Sequence, residues 1–248
     1  MAQLDNRYAT SGYPARSGAA VDEGLRSYML GVYNYMAAGV ALTGITAYLT
    51  WSFAVSGGQL TPFGQALYAS PLKWVVMLAP LAFVFFLSFR VEKMSVGAAQ
   101  MTFWLFAAVM GVSLSSIFLV FTGQSITQIF FVTAAAFGSL SLWGYTTKRD
   151  ISGWGSFLFM GLIGIILASV VNIFMQSSAL QFAVSAIGVL VFAGLTAYDT
   201  QRTKEMYFAG DDAAVMGKKA IMGALALYLD FINMFMMLLQ LFGGRSQD

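Results

Sequence analysis

Long apolar stretches separated by short polar links follow one another along the chain after its first 26 residues. A helix of about 20 apolar residues is long enough to cross the hydrocarbon core of a bilayer. Seven stretches approach or exceed that length, at residues 27–53, 73–90, 98–121, 125–147, 154–176, 179–201 and 218–242. The pattern predicts an all-α integral membrane protein whose seven transmembrane helices occupy residues 27–243.

Pro80 and the links between these stretches give further information about the helices. Pro80 lies inside the second stretch and is expected to kink or break that helix. The links near residues 122–124 and 176–178 are very short, which predicts tight antiparallel hairpins. The longest polar segment, Arg202 to Lys219, joins the sixth and seventh helices.

Residues 1–26 lack the apolar core of a signal peptide. They are rich in Gly, Ser and Ala, and their few charges are scattered. This composition predicts a short disordered tail on the cytoplasmic side.

The basic residues fall almost entirely on one side of the predicted bundle. The N-terminal segment and the even-numbered links carry eleven of the thirteen, and only Lys73 and Arg245 fall on the other side. Basic residues collect in cytoplasmic loops, so the N-terminus is expected inside and the C-terminus outside. Only an odd number of helices gives this asymmetry, which supports seven independently of hydropathy.

Composition narrows the classes of function. Charged residues make up 10% of the chain, against about 25% in soluble domains. The net charge of +2 gives no indication of nucleic-acid binding. The chain has no cysteine and no histidine, which excludes disulfides, thiolate chemistry, HExxH zinc sites and imidazole proton relays. A pH response in the physiological range would therefore have to come from buried carboxyl groups.

Asp230 is the only charged residue in the apolar run from Ala220 to Phe242. A carboxylate at bilayer depth costs roughly 2.5–3.5 kcal/mol even on the mildest insertion scale, and such residues usually face a cavity or a partner. Asn233 follows on the same helix face, within reach of a shared ligand. The pattern favours an ion or proton site. The alternative is a structural carboxyl group hydrogen-bonded to a neighbouring helix.

Asp199 closes the sixth apolar run, just before Arg202 and Lys204. Spacing alone leaves open an ordinary interfacial aspartate paired with one of these basic residues. Asp230 lies roughly 15 Å into the seventh helix, whereas Asp199 is close to the end of the sixth. The two can lie level only if the sixth helix continues toward Phe208, or if a water-filled cavity reaches both.

Two carboxyl groups at close range would share one proton and so join the two helices. Without that proton they would form an all-oxygen site with two negative charges, which suits calcium. Protons and calcium would then compete for the same place. Arg90 ends the second helix and is a candidate latch on the pair; the alternative is a snorkelling interfacial arginine that belongs to the basic residues of the cytoplasmic side. Asn172, deep in the fifth helix, is expected to hydrogen-bond a neighbouring helix.

Two segments of the sequence contain motifs that resemble those of a known family. GLTAYDTQRTK (residues 194–204) and GALALYLDFINMFMMLLQLFGG (residues 223–244) strongly resemble the Bax inhibitor-1 family. The resemblance implies seven helices around a central last helix, and a pH-sensitive calcium leak through the bacterial inner membrane. It also implies that Asp199 and Asp230 form the proton-sensing and calcium-binding pair. The family's basic residue at the end of helix two corresponds to Arg90 by position only.

Two other functions remain open at this stage. One is a regulator that transports nothing and binds a membrane partner such as a protease or a secretion component. The other is an intramembrane aspartyl protease: Tyr198-Asp199 fits that pattern, but LYL precedes Asp230 where GxGD is expected. No lysine lies in the apolar run from Ala220 to Phe242, which excludes a retinal Schiff base. We therefore expect a non-enzyme with no cofactor, whose partners are the lipid bilayer and calcium as the transported ion; the regulator alternative adds a membrane-protein partner.

Overall fold

Seven long helices make up most of the computed structural model, which describes residues 15–246 and the side chains of residues 22–246. Each is long and apolar enough to cross a membrane. They are α1 Ala15–Ala54, α2 Leu72–Arg90, α3 Val96–Leu114, α4 Gly123–Thr146, α5 Trp154–Met175, α6 Ser178–Glu205 and α7 Ala213–Phe242. The predicted all-α membrane protein with seven transmembrane helices is confirmed.

Three details differ from the sequence-based expectations. The helix α1 begins at Ala15, so the last part of the predicted disordered tail is helical, and residues 1–14 of that tail lie outside the described part of the chain. Of the kink or break expected at Pro80, the break does not occur, because α2 continues to Arg90. The third run is interrupted, because α3 ends at Leu114 and a short helix, Ile117–Val120, follows after a turn.

A small hairpin connects α1 to α2. Its strands, β1 Val55–Ser56 and β2 Gln59–Leu60, pair in antiparallel register on either side of Gly57 and Gly58. Both glycines have positive φ, which side chains with a Cβ rarely adopt. Two short helical segments, Pro62–Gly64 and Gln65–Ala69, complete the connection. Hydropathy gives little signal for so short a hairpin.

The last helix, α7, lies at the centre of the bundle. About 67% of its most apolar window is buried inside the protein, against 11–39% for the other six helices. It contacts α1, α3, α4 and α6, while α2 packs mainly on α3 and α5 mainly on α6. The small residues Ala220, Gly223 and Ala224 allow this close packing along the first half of α7. The expected central last helix is confirmed.

Short caps define the helix ends near the candidate site. The Asp212 side chain accepts a hydrogen bond from the Val215 amide and starts α7. Together with the extension of α6 to Glu205, this leaves only residues 206–212 as the link between α6 and α7. At the other end of α6, Asn172 Oδ1 accepts from the Ser177 amide. That bond serves the α5–α6 link, whereas the sequence suggested a bond to a neighbouring helix.

A buried hydroxyl pair joins three helices in the membrane and gives the first testable prediction. Thr43 Oγ1 donates to the Ala107 carbonyl at 2.8 Å, so Tyr228 OH is the donor in its 2.6 Å bond to Thr43. Thr43→Val should cost about 1–3 kcal/mol, because the Tyr228 hydroxyl is then buried without a partner. Tyr228→Phe removes the hydroxyl itself and should cost about 0.6 kcal/mol. Thermal midpoints in detergent measure both, and equal losses would contradict this assignment of donor and acceptor.

Candidate functional site

Asp230 lies midway along α7 and is buried, with 4% of its surface exposed. It faces a cavity of about 910 Å³ between α2, α5, α6 and α7. Ala226, Asn233 and Met237 line the same cavity. These positions recur every three or four residues, so one face of α7 forms this wall.

Asp199 lines this cavity as well. Because α6 continues to Glu205, Asp199 is an internal helical residue and not the last residue before a loop. This continuation is one of the two conditions under which sequence analysis expected the two aspartates to lie level. Their carboxyl groups lie within hydrogen-bonding reach of each other. The structure therefore brings together the two residues that sequence analysis selected.

The contact between the two carboxyl groups has a chemical requirement. Asp230 Oδ2 is fully buried and has no hydrogen-bond donor among the described residues. Two ionised carboxylates offer only acceptors, so neither can donate to the other. A hydrogen bond between them needs one proton, held by either group. The geometry suits a pair that shares a single proton and joins α6 to α7 through it.

Arg202 is the basic residue beside the pair. It lines the same cavity, about one turn along α6 from Asp199, and its charge attracts that carboxyl group. Within residues 22–246 the only ion pair joins Lys219 to Asp211, so Arg202 stays beyond ion-pair distance of Asp199. Arg90, the candidate latch, is exposed at the end of α2, does not line the cavity and pairs with neither aspartate.

Asn233 supplies a further oxygen to the cavity. Its amide nitrogen donates to the Leu229 carbonyl at 2.8 Å, which leaves its Oδ1 free to accept. In the part of the chain that the structure describes, no cluster of three or more acidic, histidine or cysteine side chains is present. A cation here would therefore bind two carboxylates together with neutral oxygens such as that of Asn233.

Gln201 holds the end of α6 in place, a role that sequence analysis missed. Its Oε1 accepts from the Ile151 amide at 3.0 Å, and its Nε2 donates to the Arg149 carbonyl at 2.9 Å. Lys204 adds a bond to the Tyr145 carbonyl at 2.9 Å. These bonds tie α6 to the last turn of α4 and to the link between α4 and α5. The signal was the position of Gln201 in YDTQ, two residues after Asp199.

Comparison with known proteins gives a consistent result. The family described as inhibitor of apoptosis-promoting Bax1 matches residues 25–247. The inner membrane protein YbhL of Escherichia coli K12 is 48% identical, over 90% of this chain and 93% of its own length. An uncharacterized protein of Caulobacter vibrioides is 45% identical over the whole of both chains. An uncharacterized membrane protein of Streptococcus pyogenes is 35% identical over 91% of this chain and 96% of its own length.

Proposed function

Since the chain belongs to the Bax inhibitor-1 family, we propose that it is a pH-sensitive calcium leak channel, gated by protonation of Asp199 and Asp230. One observation carries the proposal. Two carboxyl groups from adjacent helices lie within hydrogen-bonding reach of each other in one membrane cavity. Ionisable groups inside membrane segments usually mark ion paths or proton relays.

In the closed state, a shared proton bridges the two carboxyl groups and holds α6 against α7. The bridge reduces the charge of the pair, in a site where the buried Asp230 Oδ2 has no hydrogen-bond donor among the described residues. With one net negative charge at most, the pair binds calcium weakly, because calcium affinity depends on the number of charged ligands.

Loss of the proton changes both the contact and the charge. Two ionised carboxylates repel each other at this range, which favours separation of α6 and α7. The same change creates a site with two negative charges, and Asn233 Oδ1 adds a neutral oxygen. Calcium then enters the place that the proton has left. The rate of calcium leak should therefore rise as the pH rises and fall as the pH falls.

In this proposal Arg202 is the basic latch on the aspartate pair, the role that sequence analysis suggested for Arg90. Arg202 lines the cavity, and its charge attracts Asp199 without forming an ion pair. A change of side-chain rotamer in the open state would bring Arg202 onto the ionised Asp199, three residues earlier on the same helix.

We place the channel in the bacterial inner membrane, as the name of the Escherichia coli relative suggests. The link at residues 149–151 and the adjoining end of α6 carry basic residues and are tied together through Gln201. This basic side is proposed to face the cytoplasm together with the N-terminus. The C-terminus, which pairs with the start of α4 through the bond from the Thr122 amide to the Gly244 carbonyl, then faces outward.

Calcium uptake into proteoliposomes, measured at a series of pH values, tests the proposal. Wild-type uptake should rise with pH, and Asp230→Asn should remove most of that dependence. Asp150→Asn is the matched control. Hydrogen bonds from the Ser152 hydroxyl and amide hold the pKa of exposed Asp150 below its usual range, so this carboxylate stays charged throughout.

The control variant should follow the wild-type profile. Absence of calcium uptake by the wild type at every pH would refute the proposal. It would instead favour the regulator of a membrane partner, for which a stoichiometric co-purifying protein is the expected sign.

A further inference from the structure

A second cavity lies at the opposite end of α5, α6 and α7. Its volume is about 440 Å³, and five of its seven lining residues are polar but uncharged. The polar five are Ser169, Asn172, Gln176, Gln181 and Gln240, and we call this space the amide cavity. Four side-chain amides around one space are unexpected in helices this apolar, and only that of Asn172 serves a helix end, through its bond from the Ser177 amide.

The side-chain oxygens of these amides still have lone pairs that are free to accept a hydrogen bond or bind a cation. The Ser185 hydroxyl donates to Gln240 Oε1 at 2.9 Å, and Asn172 Oδ1 accepts from the Ser177 amide. Within residues 22–246, the side chains of Gln176 and Gln181 make no hydrogen bond to protein atoms. Each carbonyl oxygen has two lone pairs, so all four amides can still accept or coordinate.

The amide cavity adjoins the cavity of the aspartate pair. Ser169 and Ile173 of α5 line both. On α7, Asp230, Asn233 and Met237 line the aspartate cavity, and Gln240 lines the amide cavity. These four residues follow one helix face, and the ten-residue step from Asp230 to Gln240 spans about 15 Å.

The neighbouring helix shows the same order. Asp199, Leu195 and Phe192 of α6 line the aspartate cavity, and Val184 and Gln181 line the amide cavity. One continuous surface, formed by three helices, therefore leads from the carboxyl pair to the outer ends of those helices.

An apolar contact between α6 and α7 lies between the α7 residues that line the two cavities. A Cβ atom at Gly188 would meet Met237 Cγ and Sδ at 2.9 Å, so the absence of a side chain on α6 lets Met237 lie directly against that helix. Met237 sits between Asn233 and Gln240 on the path-lining face of α7. Apolar constrictions of this kind close ion paths by excluding water.

We propose that the ion path runs between α5, α6 and α7, and that the amide cavity is its uncharged outer mouth. This inference rests on the proposed calcium leak and extends it. Amide and hydroxyl oxygens replace part of the water shell of an entering cation. Without a carboxylate they bind it weakly enough for it to move on to the aspartate pair. Met237 closes the path between the two.

Substitutions that place a charge at residue 240 test the proposed outer mouth of the ion path directly. Gln240→Glu should raise calcium uptake on the order of fivefold at low ionic strength, because a carboxylate at a narrow entrance concentrates cations. Gln240→Arg should lower it by a similar factor, and added salt should reduce both effects. Gln124 provides the matched control, since it is exposed at the outer start of α4 and lines neither cavity. Gln124→Glu and Gln124→Arg should leave uptake unchanged.

A second measurement uses the absence of cysteine from the chain. A membrane-impermeant cationic thiol reagent, applied from the outer side, should modify Gln240→Cys and lower its calcium uptake. The same reagent should modify Gln124→Cys without changing uptake, and should not reach Asn233→Cys beyond the Met237 contact when the channel is closed.

The outcomes separate the two proposals. If the wild type takes up calcium but charges at Gln240 and Gln124 have equal effects, the proposed outer mouth is refuted and the proposed calcium leak is not. Failure of the reagent to modify Gln240→Cys would also refute the outer mouth alone. A wild type that carries no calcium at any pH would overturn both.

Discussion

Asp230→Asn is expected to keep the channel closed at every pH, whereas Asp230→Ala is expected to keep it open. An asparagine amide has N–H donors and can hydrogen-bond to the ionised Asp199 carboxylate without a shared proton. It therefore imitates the protonated pair. Alanine has no polar group, so the bridge between α6 and α7 is lost whether or not Asp199 is protonated.

The contrast between the two variants separates gating from simple loss of a ligand. Both remove one negative charge from the cavity, and a role in calcium binding alone would lower uptake in both. We expect wild-type uptake to change on the order of tenfold between acidic and alkaline buffer, equivalent to about 1.4 kcal/mol. Each variant should change less than about twofold over the same range.

Uptake measured for both variants across the same pH series decides the point. Asp230→Asn should match the wild type at its acidic limit, and Asp230→Ala should stay at or above the wild type's alkaline limit. Equal uptake by the two variants, or an intact pH response in either, would contradict gating through the carboxyl bridge.

Gly144→Ala is expected to destabilise the protein strongly, while Gly138→Ala on the same helix is expected to be tolerated. A Cβ atom at residue 144 would lie 2.4 Å from the Ala197 carbonyl oxygen and 3.0 Å from Ala197 Cα. Both are backbone atoms of α6, which cannot rotate aside as a side chain can. The helix itself would have to move, two residues from Asp199. At Gly138 no atom lies within 4 Å of an added Cβ.

We expect Gly144→Ala to cost about 3 kcal/mol, near the upper end for overpacked sites. Its thermal midpoint in detergent should fall by roughly 5–10 °C. Gly138→Ala should keep the wild-type midpoint or raise it slightly, because alanine favours the helix more than glycine does. Similar midpoints for the two variants would show that the α4–α6 contact is looser than the structure has it.

Much of the fold follows from the sequence because the membrane imposes a simple rule. Every backbone group in the bilayer needs an internal partner, so each long apolar run must be a helix. The helix boundaries were predicted less accurately from the sequence. Asp212 moved the start of α7 earlier than hydropathy indicated, because a cap depends on one side chain and not on apolar length. The turn after Leu114 was also missed, since its serines are small polar residues that an apolar run easily hides.

The candidate site was only partly predictable. Asp230 could be selected on burial, because a lone charge inside an apolar run is costly. Asp199 could not, since its place in the cavity depends on the polar residues up to Glu205 being helical. The same uncertainty affected the arginines. Arg90 and Arg202 both end apolar runs, and only the packing of α6 beside α7 decides that Arg202 lines the cavity. Gln240 and the amide cavity gave no sequence signal, because their residues come from three separate helices.

Calorimetric titration of calcium in buffers of different ionisation enthalpy tests most directly whether protons and calcium compete for the aspartate pair. In mildly acidic buffer the wild type should release about one proton for each calcium ion bound, because the ion displaces the shared proton. Asp150→Asn should behave identically, and Asp230→Asn should release none. Calcium binding by the wild type without proton release, or equal release by Asp230→Asn, would contradict a carboxyl pair that holds either a proton or calcium.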